Sequence, residues 1–344
     1  WPFVVVGLLL SVGALAFLIY PLNTGYVAFL PGTVEDVADY VVIDSASAEV
    51  YEPFGDLYFL TVLSDEVNVF EYIEAVFDDE VDLLDRDHVR PPDISREEYT
   101  RLNLASMEES VQAATFVALT RLGYEPTFDG GGALVTATVD DSPAQDVFES
   151  GVDIIVAVDG QEVRLAEDAV ELVGAHGPGE TIVLTVERED GSTDDVEIIL
   201  IPNPDDATKG LVGVFLATAE LDIDFPVDVA IETGNIGGPS AGMMYALGIF
   251  NYLTPDDITK GHRVAGTGEI HFDGEVGAIG GVRQKIFAAK AAGAEYVLVP
   301  TNNYEDAQEA ADGDIEIVAV ATVDDALDFL ETLDPVPQLQ AQSG

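Results

Sequence analysis

Cysteine is missing from all 344 residues, so disulfide staples, thiol nucleophiles and thiolate metal sites are excluded and the redox compartment is left open. Cations are scarce too: 13 Lys and Arg stand against 65 Asp and Glu, a formal net charge of −52. A protein that neutralises a phosphate backbone needs the cations this one lacks, so no nucleic-acid partner is expected. The Gly-Lys dipeptide required by a G-x-x-x-x-G-K-[ST] loop does not occur, which leaves this sequence without an ATPase module of that kind. The four histidines, at 88, 176, 262 and 271, are scattered without metal-ligand spacing, and neither a metal nor another cofactor is expected.

What is present is a foldable chain. Its hydrophobic fraction of 48% is ordinary for globular domains, so the acidity reads as a solvated surface of the halophilic kind, where salt screens self-repulsion. At about 100 to 200 residues per domain there is room for two or three. Phe3 to Tyr20 runs eighteen residues without a charge. As a helix it spans about 27 Å, close to the ~30 Å of a hydrocarbon core, so residues 1–24 are expected to form a single membrane anchor. A cleaved signal peptide is the alternative, but the apolar run is long for one and no small-x-small site follows.

The expected architecture is α+β and multidomain. Residues 25–125 read as an α/β scaffold without visible chemistry, with a helix starting at the capping-box pattern Ser106 to Glu109 and stopping at Gly123. Residues 126–204 read as a small β-domain, with strands at 133–139, 154–158, 181–186 and 196–201 and one helix at 166–173. Residues 205–333 carry the chemistry, and 334–344 read as a disordered tail.

In the third block, Gly237-Gly238-Pro239-Ser240-Ala241-Gly242 leads into a helix with apolar residues at 241, 244, 245, 248 and 249, one buried face. Ser240 then sits at a helix N-terminus, where N–H groups and the dipole stabilise a developing oxyanion. His262 and His271 follow too closely for a Ser-Asp-His hydrolase order. The better base is Lys285, placed by helical spacing on a small apolar stripe with Val282, Ala288, Ala289 and Ala292. Burial there lowers the amine's basicity until it takes a proton from a serine hydroxyl near neutral pH.

Two resemblances follow from these strings. Asp141-Ser142-Pro143-Ala144, Gly151 to Ile155 and Val158-Asp159-Gly160-Gln161 resemble PDZ domains, especially those attached to proteases. That implies peptide binding by strand addition at Gly131, Gly132, Ala133 and Leu134. The string around Ser240, then Ala265 to Ile270, Gly274 to Gly281 with Lys285, Val297 to Pro300 and Asn302-Asn303, resembles the proteolytic domain of Lon proteases. The resemblance implies Ser240 as nucleophile and Lys285 as base, with Thr267 a hydroxyl partner and Gly238, Pro239 and Ala241 shaping the turn. One departure is Gly237, where many such domains carry an acid.

The whole chain looks like the membrane-anchored PDZ-Lon subgroup. This implies an ATP-independent endopeptidase with a polypeptide substrate, soluble domains outside the cytoplasm and possible homo-oligomers. A non-catalytic scaffold that binds partner tails is the alternative, and a phosphate-cradling loop at 234–242 a third reading.

Overall fold

In the computed structural model of the chain, the described residues are 20 and 23–336, without 93, 140, 141, 146, 205 and 207. The expected membrane anchor, apart from Tyr20, Asn23 and Thr24, and the tail from 337 lie outside them. Among the described residues no helix is long and apolar enough to cross a membrane.

The chain begins with β1 (Asn23–Asp36), β2 (Val41–Ile43), β3 (Asp56–Asn68), α1 (Val69–Ala75), β4 (Asp82–Asp85) and the long helix α2 (Arg96–Arg121). A second group follows: β5 (Gly132–Thr138), β6 (Ile154–Val158), α3 (Ala166–Gly174), β7 (Thr181–Glu187), β8 (Thr193–Ile199) and β9 (Val214–Ala219). The last group comprises β10 (Val229–Ile231), α4 (Gly242–Leu253), β11 (Arg263–Gly266) and α5 (Val282–Ala292). It ends with β12 (Tyr296–Pro300), α6 (Tyr304–Ala311), β13 (Glu316–Val320) and α7 (Val323–Glu331).

These groups form two compact units, one of residues up to 125 together with those from 226 onward, the other of 126–225. Residues 25–125, expected as a separate scaffold, are thus half of the unit that holds Ser240, and 205–225 belong to the other unit. Strand pairing is the physical reason. The first unit has one six-stranded sheet in the order β13-β12-β11-β3-β1-β4. Its centre is the parallel pair β3 and β11, with Leu57 opposite Val264 and Phe59 opposite Gly266. Without β3 the central strand β11 loses a ladder that the last group alone does not replace.

Helix α4 lies directly on this sheet, because Gly266 has no side chain: a Cβ there would stand 2.3 Å from Met244 Sδ. Every residue of α4 from Gly242 to Ile249 is buried, whereas the sequence pattern anticipates one buried face. The other side of α4 is covered by α2, which begins at Arg96 rather than at Ser106. Ser95 caps it by accepting from the Glu98 N–H at 3.1 Å, with Glu97 and Glu98 in the first turn. Its first ten residues are largely exposed and carry no apolar stripe, so periodicity does not reveal them.

The second unit is an antiparallel sheet in the order β8-β7-β6-β5-β9, with α3 packed against β5, β6 and β9. Ile155, Val158, Ala169, Ile182 and Leu184 form its core. Its strands and helix fall close to the sequence expectation, and β9 is the strand that the expectation had placed in the next domain.

Phe59 is fully buried, with its ring centroid 5.3 Å from that of Tyr245 in α4. Phe59→Ala is expected to lower the stability of the first unit by about 3–5 kcal/mol in urea unfolding. A negligible change would contradict a core shared by the two ends of the chain.

Candidate active site

The turn that carries Ser240 is built by its neighbours in sequence. Gly238 has φ +87°, a conformation that side-chain-bearing residues rarely adopt, and Pro239 presets the first turn of the short 3₁₀ segment Pro239–Ala241. Two other segments then hold it. The Gly238 N–H donates to the Asn103 carbonyl at 2.8 Å, and Ser110 Oγ donates to the Pro239 carbonyl at 2.9 Å, both from α2. From the loop after β11, Thr267 Oγ1 and the Gly268 N–H donate to the Ser240 carbonyl at 3.0 and 2.8 Å. At Gly237, where the resemblance leads one to look for an acid, a Cβ would stand 3.1 Å from Asn103 Cβ. The close approach of α2 explains the glycine.

Lys285 reaches the same point from α5. The loop before α5 is pinned by Asn303, whose Oδ1 accepts from the Ile279 N–H at 2.9 Å and whose Nδ2 donates to the Ile279 carbonyl at 3.0 Å. Lys285 is 1% exposed, and its Nζ lies 2.7 Å from Ser240 Oγ and 2.7 Å from Thr267 Oγ1. Val282, Ala288 and Ala289 are buried with it as expected, while Ala292 faces solvent. Burial alone lowers the amine's pKa from 10.5 to about 7. That drop corresponds to roughly 5 kcal/mol of lost preference for the charged form.

Proton counting gives this triangle a direction. A threonine hydroxyl has one proton. Thr267 gives its proton to the Ser240 carbonyl, so its oxygen accepts from a Lys285 N–H. In the neutral amine the lone pair is then left for the remaining neighbour, the Ser240 hydroxyl.

Ser240, Gly238, Pro239, Ala241 and Lys285 line a cavity of about 490 Å³, with Thr267 buried behind them. Neither His262 nor His271 lines it. The side chains that hold the turn and the α5 loop, Asn103, Ser110 and Asn303, have no role in the sequence reading. Asn303 lies in a motif singled out there, whereas Asn103 and Ser110 lie in a region read as having no chemistry. No local signal marks them, because the interactions they make cross more than 100 residues in the case of α2. Among the described residues no group of three or more His, Cys, Asp or Glu side chains could hold a metal ion.

The expected peptide-binding residues Gly131, Gly132, Ala133 and Leu134 are not brought to an open edge, and this corrects the sequence reading. Strand β5 is interior: Ala133 pairs with Ile155 of β6 on one side and Thr218 of β9 on the other. The Gly131 N–H donates to the Ala219 carbonyl at 2.7 Å and the Gly132 N–H to the Arg164 carbonyl at 3.0 Å. Strand addition needs unpaired backbone groups, and here they are used. The sheet ends instead at β9, beside α3.

A buried lysine with a lowered pKa costs most stability below about pH 7, where the native chain must hold the proton out of water, and the cost fades as the native chain gives up a proton that the unfolded chain keeps, so wild-type stability rises with pH from about 7 toward 10.5 through this group. Lys285→Met removes that slope. The variant is expected to be more stable in urea by on the order of a few kcal/mol at pH 6, with the gap closing toward pH 10. A variant less stable at both pH values would contradict the burial argument.

Comparison with known proteins agrees with these two units. Residues 217–332 match the family described as Lon protease (S16) C-terminal proteolytic domain, and residues 115–200 match the PDZ domain family. Lon protease 2 of Bacillus subtilis is 40% identical over 119 residues, 35% of this chain and 20% of that protein. Lon protease of Campylobacter concisus is 42% identical over 94 residues, 26% of this chain and 11% of that protein. The chain thus spans a fifth or less of the length of these relatives. Among solved structures, the PDZ domain of an SdrC-like protein from Listeria innocua is 19% identical, with 25% of this chain and 92% of that one covered and a TM-score of 0.23. The chain carries a Lon-type serine peptidase domain and a PDZ domain.

Proposed function

We propose that the chain is an ATP-independent, membrane-anchored serine endopeptidase that cuts flexible or unfolded polypeptides with Ser240 and Lys285. The observation that carries this reading is the buried amine 2.7 Å from Ser240 Oγ. The neutral Lys285 amine takes the hydroxyl proton as Oγ attacks the scissile carbonyl. The oxyanion forms beside Ser240 at the N-terminal end of α4, where the helix dipole is positive; the Gly242 and Met243 N–H groups already donate to the Pro239 and Gly268 carbonyls. The lysine ammonium then gives its proton to the departing amine, and the amine so regenerated activates water against the acyl-enzyme.

Thr267 positions Lys285: it takes one N–H of the amine and aims the lone pair. No carboxylate beside the amine counteracts the lowering by stabilising the ammonium, which fits Gly237 standing where an acid is found elsewhere. The apolar run from Phe3 supports the anchor, and the extracytoplasmic placement of the soluble units follows from the subgroup resemblance. The second unit presents a substrate tail, added as a strand on β9 against α3 in place of the β5 edge.

Ser240→Ala and Lys285→Met are each expected to lower kcat/KM on an unstructured polypeptide by roughly three orders of magnitude or more. Full activity of purified Ser240→Ala would refute the reading, and covalent labelling of Ser240 by a fluorophosphonate separates the enzyme from a scaffold. Wild-type kcat/KM is expected to rise with pH through about 7 as Lys285 loses its proton. A profile flat from pH 5 to 9 would contradict lysine as the base.

A further inference from the structure

A second cavity of about 490 Å³ opens beside the one over Ser240. The two share Phe29, Val62, Tyr99, Asn103, Asn235 and Gly237 as walls, so a polypeptide lying across Ser240 continues into it. The remaining walls carry Arg86, Arg90 and Arg96 against only Asp65 and Glu66.

This excess of cations is an exception in a molecule of net charge −52. In three cavities elsewhere acids outnumber bases, with five around Arg188, three around Arg263 and four around Lys260. Arg86 is occupied by its neighbour Asp87 at 2.9 Å. Arg90 and Arg96 share one oxygen of Glu66, at 2.8 and 3.9 Å, through one nitrogen each. A guanidinium has five N–H donors in a planar fork that suits a carboxylate, so this pair has capacity for another.

We infer that this cavity is a substrate subsite that binds a carboxylate of the polypeptide on Arg90 and Arg96. The inference rests on the peptidase reading and adds a substrate preference to it. The acidic surface does not override that preference, since at 1 M salt the screening length is about 3 Å and contact-range pairs inside a partly enclosed site outlast long-range repulsion. An acidic side chain and a free C-terminus offer the same chemistry, and they differ in where the cut falls.

The test uses the full chain and internally quenched peptides in two sets. One has amidated ends and a single Glu or Gln walked through the positions around the scissile bond; the other is neutral with a free or amidated C-terminus. Glu is expected to exceed Gln about tenfold in kcat/KM at one position, the effect of one charge-assisted contact. In Arg96→Gln, at an exposed position, the Glu-to-Gln ratio is expected to fall several-fold, and in Arg96→Glu to fall below one. A preference confined to the free C-terminus supports the same subsite with a terminal carboxyl as its ligand. Cleavage with no acid preference, or a preference that Arg90→Gln and Arg96→Gln together leave intact, overturns the inference alone. Failure of the wild type to cut any peptide overturns the peptidase reading and the inference with it.

Discussion

A lysine amine held out of water, with the Ser240 and Thr267 hydroxyls each 2.7 Å away, is the constraint on which the rest of the structure depends. In water the ammonium is strongly hydrated; beside Ser240 and Thr267 that hydration is replaced by two short contacts and an alanine-rich helix. The group responds by giving up its proton near neutral pH, and desolvation is the cause, with no carboxylate opposing it. A stabilising ion pair at this place would restore the charge and remove the base that the proposed mechanism uses, so in that reading the burial penalty and the chemistry are one feature.

Such a site requires a rigid frame, because a displacement that admits water returns the amine to its ordinary basicity. The frame draws on both ends of the chain. Helix α2 holds the carbonyl of Pro239 and the N–H of Gly238; the loop after β11 holds the carbonyl of Ser240; Asn303 holds the loop that starts α5. The central ladder of β3 with β11 keeps these parts in register. The long insertion that forms the second unit leaves this body at 125 and returns at 226. The chain therefore builds its site from segments that a linear reading assigns to different domains.

How much of this was legible follows from the range of each interaction. Local chemistry was readable: Pro239 and Gly238 before a helix, the apolar stripe that buries Lys285, and the strands of the second unit all depend on residues within a few positions. Long-range pairing was not. Nothing in residues 56–68 says that they pair with 263–266, so from sequence alone the N-terminal region reads as a separate scaffold. The Gly-rich run at 130–134 suggested an open carboxylate loop, but its N–H groups are taken by Ala219 and Arg164, the first of which belonged to a segment assigned elsewhere. The start of α2 escapes the sequence pattern because a polar, solvent-facing first turn has no periodicity to read, only the cap at Ser95.

The four lysines of this chain, at 209, 260, 285 and 290, make a direct titration practical. With lysine Cε labelled in carbon-13, the full chain is followed by NMR from pH 5 to 11, and the Lys285 signal is identified by its loss in Lys285→Met. The account predicts that this amine titrates near 7. A Lys285 signal that titrates above 10 would contradict it.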